Sequence, residues 1–288
     1  MTDAVSKTGV FVLGPLEIAH GSQYDLRRRS TQRLVLRWLE RGLFGFVHLG
    51  TPCTIWSQAR HDVKDSAATR AKEETGLELA LFSCEVIRVC QKAGIPFSLE
   101  NPRGSKLFQF EPLLRALFTG DCYFIDFDMC MYGEPYRKST RLATSCADLF
   151  ALARKCVHHT HDVRLKGQVK VDSNVDKPRY VNRTASAGAY PSCFCRAFAG
   201  LICRHVRPID QHQAEAVAVH WESALRSVAQ YKARRQRPPQ TKISSGSIGD
   251  FAPTCELLEA AGGLHTYFDC IQLGRNPKDA WKAFQSCR

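Results

Sequence analysis

Apolar residues along this chain fall into short blocks whose spacing switches between the strand period of two and the helix period near 3.6. Val10 to Ile18 is apolar and β-branched, interrupted by Gly14-Pro15, and predicts a strand with Glu17 near its end. Leu34, Val35, Trp38 and Leu39 share one helical face, with Ser30 or Thr31 as a possible cap and Gly42 as a stop. Phe44 to Leu49 predicts a short strand, followed at once by Thr51-Pro52-Cys53. A long helix is expected from about Ala68 to Ala93, where Leu77, Ala80, Leu81, Cys84, Ile87 and Val89 form a wide apolar stripe. Gly94 ends it and Pro96 prevents its continuation. Phe97-Ser98-Leu99 predicts a strand that runs into Glu100-Asn101-Pro102. A helix from Pro112 to Phe118, a strand from Tyr123 to Met129 and a basic loop from Tyr136 to Arg141 complete this region.

Strands alternating with helices indicate an α/β domain. Right-handed crossovers then favour a Rossmann-like, doubly wound and mostly parallel sheet. Beyond Cys146 the pattern weakens into a polar stretch rich in His, Lys and Val, where irregular strands or a hairpin are expected to about Asn182. Helices are expected over Pro191 to His205 and about Ile209 to Tyr231. The expected organisation is a catalytic-type α/β core over 1–145, a short variable region over 146–189 and returning helices over 190–231. A basic Pro/Ser/Gly linker over 232–249 and a tail without an assigned role over 250–288 follow.

Composition adds a partner. With 40 Lys and Arg against 28 Asp and Glu, the formal charge is +12, a field that favours a polyanion such as nucleic acid. No stretch approaches the roughly 20 uninterrupted apolar residues of a membrane helix. Met1 to Gly9 lacks the apolar core of a secretory signal. An intracellular location, nuclear in a eukaryote, is expected. The 13 cysteines are an odd number and several sit in apolar runs, so they are read as reduced.

Candidate chemistry lies where strands end, because ligands of open α/β sheets bind beyond the carboxyl ends of the strands. Three successive predicted strands lead into Cys53, into Glu100, and into Arg137, Lys138 and Arg141. Each has a plain reading taken alone: a structural cysteine, a turn ended by proline, a solvated basic loop. Their order along three neighbouring strands favours a site.

The residues also carry a family resemblance. Thr51-Pro52-Cys53 with Trp56-Ser57 resembles the Pro-Cys loop of the cytosine-C5 DNA methyltransferases. Glu100-Asn101-Pro102 resembles that family's Glu-Asn-Val segment, with proline in place of valine. The stretch from Asp128 to Gly133, followed by Tyr136 to Arg141, is similar to its basic segment as found in phage and mobile-element members. Tyr190-Pro191 and the helix after it look like its last shared segment. The resemblance spans roughly residues 10 to 205. It implies that the Cys53 thiolate adds to C6 of cytosine, that Glu100 holds N3 and the exocyclic amine, and that Arg141 holds the base or a phosphate. Ser57, Asn101, Arg137 and Lys138 would contact the substrate. Glu17, Asp25, Pro52 and Tyr190 would border S-adenosylmethionine as methyl donor.

The glycine-rich segment that cradles this donor in the family has no counterpart here, since a short polar leader alone precedes Val10. Three activities therefore stand as expectations: methylation of DNA cytosine at C5, nucleic-acid binding by an inactive mobile-element remnant, or methylation of RNA cytosine. Cys156, His158, His159 and His161 cluster in sequence, with Cys193, Cys195, Cys203 and His205 downstream. Their spacings lack the paired C-x2-C pattern, and no metal is expected.

Overall fold

The computed structural model describes residues 1–58, 65–171, 179–206 and 210–235. Its organising element is the helix Ala67–Ala93 (α3), which follows Thr2–Ser6 (α1), Arg29–Glu40 (α2) and the strand Val47–Leu49 (β1). The Ser66 hydroxyl accepts from the Thr69 amide at the start of α3, at 3.1 Å. Gly94 closes the helix at φ +65°, a left-handed position that favours glycine. Between these ends Ala80, Leu81, Cys84, Val86, Ile87 and Cys90 are buried, as the apolar stripe requires.

The strand Phe97–Pro102 (β2), the helix Glu111–Leu117 (α4), and the strands Tyr123–Asp128 (β3) and Ser139–Thr144 (β4) follow. The four strands form one sheet in the order β1-β2-β4-β3. β1 runs parallel to β2, whereas β4 runs antiparallel to both β2 and β3. The fold is thus α/β with a mixed sheet: three strands point one way and β4 is inserted against them. Parallel pairing is confined to β1 and β2, so the sheet departs from the mostly parallel pairing that alternation alone predicts.

Both faces of the sheet are covered. Phe97 and Leu99 of β2 and Ala143 of β4 face a core shared with α2, α3 and α4. Trp221 and Leu225, from the helix Gln211–Arg235 (α7, the last described), join this core, with the Trp221 ring 4.6 Å from that of Trp38. On the opposite face Ile125, Phe127 and Leu142 pack against Phe194 and Phe198 of the helix Ser192–Ile202 (α6). Val5 of α1 lies in this second core as well.

Four expectations need correction. Val10 to Ile18 forms no strand: it runs as irregular chain into a short 3-10 turn, Ile18–His20. Its Val10 and Val12 are spent on the α6-side core, and Leu13 and Leu16 pack on the other. α2 begins after Arg28 without a side-chain cap, and Ser30 and Thr31 lie inside it with buried hydroxyls. The basic segment Tyr136 to Arg141 is a loop only to Lys138, because β4 starts at Ser139. Lys232 to Arg235 continue α7 instead of opening a linker.

The region after Cys146 holds a 3-10 turn (Ala147–Leu152), an antiparallel pair of strands, Gln168–Val171 (β5) and Arg179–Asn182 (β6), and the short helix Arg183–Ser186 (α5). The remaining linker from 236 and the tail over 250–288 lie outside the described residues. Among the described residues, no helix is long and apolar enough to cross a membrane.

Candidate functional site

The chain leaves β1 at Leu49, and the next nine residues are clasped from several sides. The buried Asn101 side chain, at the end of β2, donates to the Thr51 carbonyl at 2.6 Å. The Thr51 hydroxyl lies 2.8 Å from that of Ser83 in α3. The Trp56 carbonyl accepts from the Lys106 amide at 2.8 Å, and the Trp56 ring packs 4.9 Å from Phe110. Gly76 of α3 admits Ile55: a methyl group there would fall 2.8 Å from the Ile55 side chain. Such a loop is rigid without being covered, and it holds Pro52 and Cys53 exposed to solvent. An exposed thiol on a fixed loop suits a nucleophile. Ser57 sits on the same turn, half-buried.

Glu100 occupies the next strand. Side chains alternate along a strand, so Glu100 and Ser98 project to the α6 side while Leu99 and Asn101 project to the α3 side. Glu100 is buried, and its Oε2 accepts from the Tyr190 hydroxyl at 3.2 Å. The Lys138 ammonium stands 3.9 Å from Oε1 and donates to the Ala187 carbonyl at 3.0 Å. Among the described residues, Oε1 itself accepts no hydrogen bond. Burial pushes the Glu100 carboxyl above its ordinary range, and Lys138 and Tyr190 pull it partly back. A buried carboxyl with one oxygen ion-paired but without a hydrogen bond retains acceptor capacity.

His48, absent from the expected site, extends this network. It lies opposite Ser98 in the parallel register of β1 and β2. Its Nδ1 is 2.8 Å from Ser98 Oγ and its Nε2 is 3.1 Å from Tyr190 Oη. Its ring packs edge-on to both Tyr190 and Phe198. Although the residue as a whole is only partly covered, burial of the ring pushes its pKa down to about 4, so the imidazole is neutral. Tyr190 gives its single hydroxyl proton to Glu100, so Nε2 carries the proton toward Tyr190 and Nδ1 accepts from Ser98. The chain of donors thus runs from Ser98 through His48 and Tyr190 to Glu100. The signal in the sequence was a histidine closing an apolar strand opposite a serine in the next.

The other expected residues take different places. Arg141 does not meet Glu100. It lies on the α3 side of β4, forms two bonds to Asp126 at 2.6 and 2.9 Å, and stands over the Phe108 and Phe124 rings. Arg137 pairs with Asp128 at 3.3 Å at the protein surface. Lys138 is the cation that reaches Glu100.

On the side expected to hold the methyl donor, Glu17 opens an exposed turn. The buried Asp25 carboxylate is closed by two bonds from the Arg27 side chain, both 2.9 Å. Tyr190 is committed to Glu100. No family model, curated protein or solved structure matches the chain.

Proposed function

We propose that the chain binds a cytosine base of DNA and attacks it covalently, on a Rossmann-like, doubly wound methyltransferase sheet. The observation that carries this reading is the fastening of β1 to β2: the bond from Asn101 to Thr51 ties the exposed Cys53 loop to the strand that presents Glu100. Glu100 Oε1, which accepts no hydrogen bond among the described residues, suits the exocyclic amine of cytosine, a donor, and a protonated carboxyl suits N3, an acceptor. Burial, which favours that protonated form, supports both contacts. Donation to N3 withdraws electron density from C6 and invites addition of the Cys53 thiolate there. The new S–C6 bond takes the thiolate electron pair and leaves C5 enamine-like, able to accept a methyl group. The base must leave the duplex to reach both groups, and the charge of +12 favours the phosphate backbone.

In the family that the motifs resemble, the methyl group comes from S-adenosylmethionine. Of the residues expected to hold it, Asp25 is closed by Arg27 and Tyr190 is bonded to Glu100, so no step through the donor is derived. The same observation favours a second reading: a methyltransferase-like protein that binds nucleic acid without completing methyl transfer.

Duplex DNA carrying 5-fluorocytosine, incubated with the protein and S-adenosylmethionine, separates these. A covalent adduct that Cys53→Ser abolishes supports the enzyme. A gel shift of DNA without an adduct, unchanged by Cys53→Ser, supports the binder. An adduct on 5-fluorocytosine RNA alone would move the substrate to RNA.

A further inference from the structure

We propose that Cys130, Cys156, His158 and His161 form a structural zinc site. Cys130 lies in the turn Met129–Tyr132 directly after β3. The other three come from the polar, strand-poor stretch beyond the Ala147–Leu152 turn. One ligand atom from each falls within 4.8 Å of the other three. Cys156 Sγ is 3.5 Å from His158 Nδ1 and 3.3 Å from His161 Nε2.

The two separations from Cys156 match the edges of a zinc tetrahedron. With Zn–S near 2.3 Å and Zn–N near 2.0 Å, tetrahedral geometry puts neighbouring ligand atoms roughly 3.3 to 3.8 Å apart. Two thiols and two imidazoles are also a complete structural set for this ion, with no position left for water or substrate. Both cysteines are free thiols, so no disulfide explains their approach. Binding releases the two thiol protons, and the two thiolates balance the charge of Zn2+.

The backbone around the cluster is already fixed. Asp128 Oδ2 accepts from the Cys156 amide at 2.7 Å, and the Asp128 amide donates to the Arg154 carbonyl at 2.8 Å. Val163 bridges to Tyr136 on the far side. Asp128 Oδ1 accepts from Ser139, the first residue of β4. A metal here would clamp the stretch beyond β4 to the turn after β3 that precedes Lys138, and so steady the cation beside Glu100. The sequence concealed the set because Cys130 lies far upstream of the C-x-H-x2-H run, and because His159 within that run is not a ligand.

The test is metal analysis of the full chain, expressed with zinc in the medium and purified without chelator. About one zinc per chain is expected, falling below about a tenth in Cys156→Ser and His161→Ala. Should those variants fail to fold, the native chain still decides. Stripped of metal and titrated with Co2+, it should develop the intense visible bands of tetrahedral cobalt and the near-ultraviolet thiolate charge-transfer band, while His158→Gln weakens them. A folded native chain with under about a tenth of a zinc and no cobalt spectrum overturns the proposal. So does a Cys130–Cys156 disulfide in the freshly purified protein. Neither readout depends on the reaction proposed for Cys53.

Discussion

Tyr190 donates its hydroxyl to Glu100 at 3.2 Å while standing 3.1 Å from the His48 ring, so one phenol joins a buried acid to a neutral imidazole. The hydrogen bond from Tyr190 is one of two influences that hold the Glu100 carboxyl down against burial. Tyr190→Phe should therefore raise the Glu100 pKa further. If addition of Cys53 requires protonated Glu100, activity falls as pH rises through that pKa, and in the variant this alkaline limb moves to higher pH. Adduct formation with 5-fluorocytosine DNA across a pH series measures the limb. Folding should weaken by about 1–3 kcal/mol in urea titrations, the cost of a charge-assisted bond.

Glu100→Gln tests the acid itself. The folded protein holds this carboxyl above its unfolded value near 4.3, so protonation favours folding, and Glu100's contribution falls as pH rises through the folded pKa. The variant should lose that slope and be at least as stable as the native chain at neutral pH. Adduct formation should drop about 10²–10⁴-fold, because a neutral amide cannot protonate N3. Unchanged adduct rates would remove Glu100 from the chemistry.

His48 sets an acid limit. Its pKa is depressed to about 4 by burial, against an unfolded value near 6.5. The stability that neutral His48 contributes is full above pH 6.5 and is lost as pH falls toward 4. The loss across that window should reach at most about 3 kcal/mol. Urea titrations at several pH values should show this slope, and His48→Gln should flatten it.

Asn101 and Arg141 are neighbours across β2 and β4, yet they should fail differently. Asn101→Ala strands the Thr51 carbonyl and should cost about 1–3 kcal/mol. It should also loosen the Cys53 loop, read as a changed rate of iodoacetamide alkylation at Cys53 relative to the native chain. Arg141→Ala breaks the pair with Asp126, for a similar cost of about 1.5–3 kcal/mol, but leaves Cys53 alkylation and adduct formation within about twofold. Lys138→Met removes the other influence that holds the Glu100 carboxyl down, so it should move the alkaline limb of adduct formation to higher pH, as Tyr190→Phe does.

Elements with strong local signals were legible in the sequence. The stripe and the Gly94 stop of α3 placed that helix to within a residue, and the runs ending at Leu49 and Glu100 placed two strands. Val10 to Ile18 misled because β propensity is realised only against a neighbouring strand, and this segment's apolar side chains fill two cores from an irregular chain. β4 was masked because a cation, Arg141, sits where alternation leads one to look for an apolar residue. Its charge is balanced by Asp126 from β3, a contact across strands that no local pattern contains. Cys53 and Glu100 were visible as residue types at strand ends. Lys138 was visible only as one cation of a basic loop, without its pairing to Glu100, and His48 was not, because their roles come from register and from which face of the sheet they occupy.

The reversed direction of β4 has a consequence for how this protein tolerates change. Because β4 enters the sheet at the rim where β1, β2 and β3 leave it, the link from β3 to β4 is confined to that rim and cannot grow without crowding Glu100. The opposite rim, where β4 ends at Thr144 beside Ser98, lies farther from Glu100 and Lys138. Length variation between relatives should therefore accumulate after Thr144, while the ten residues from Met129 to Lys138 hold a fixed length.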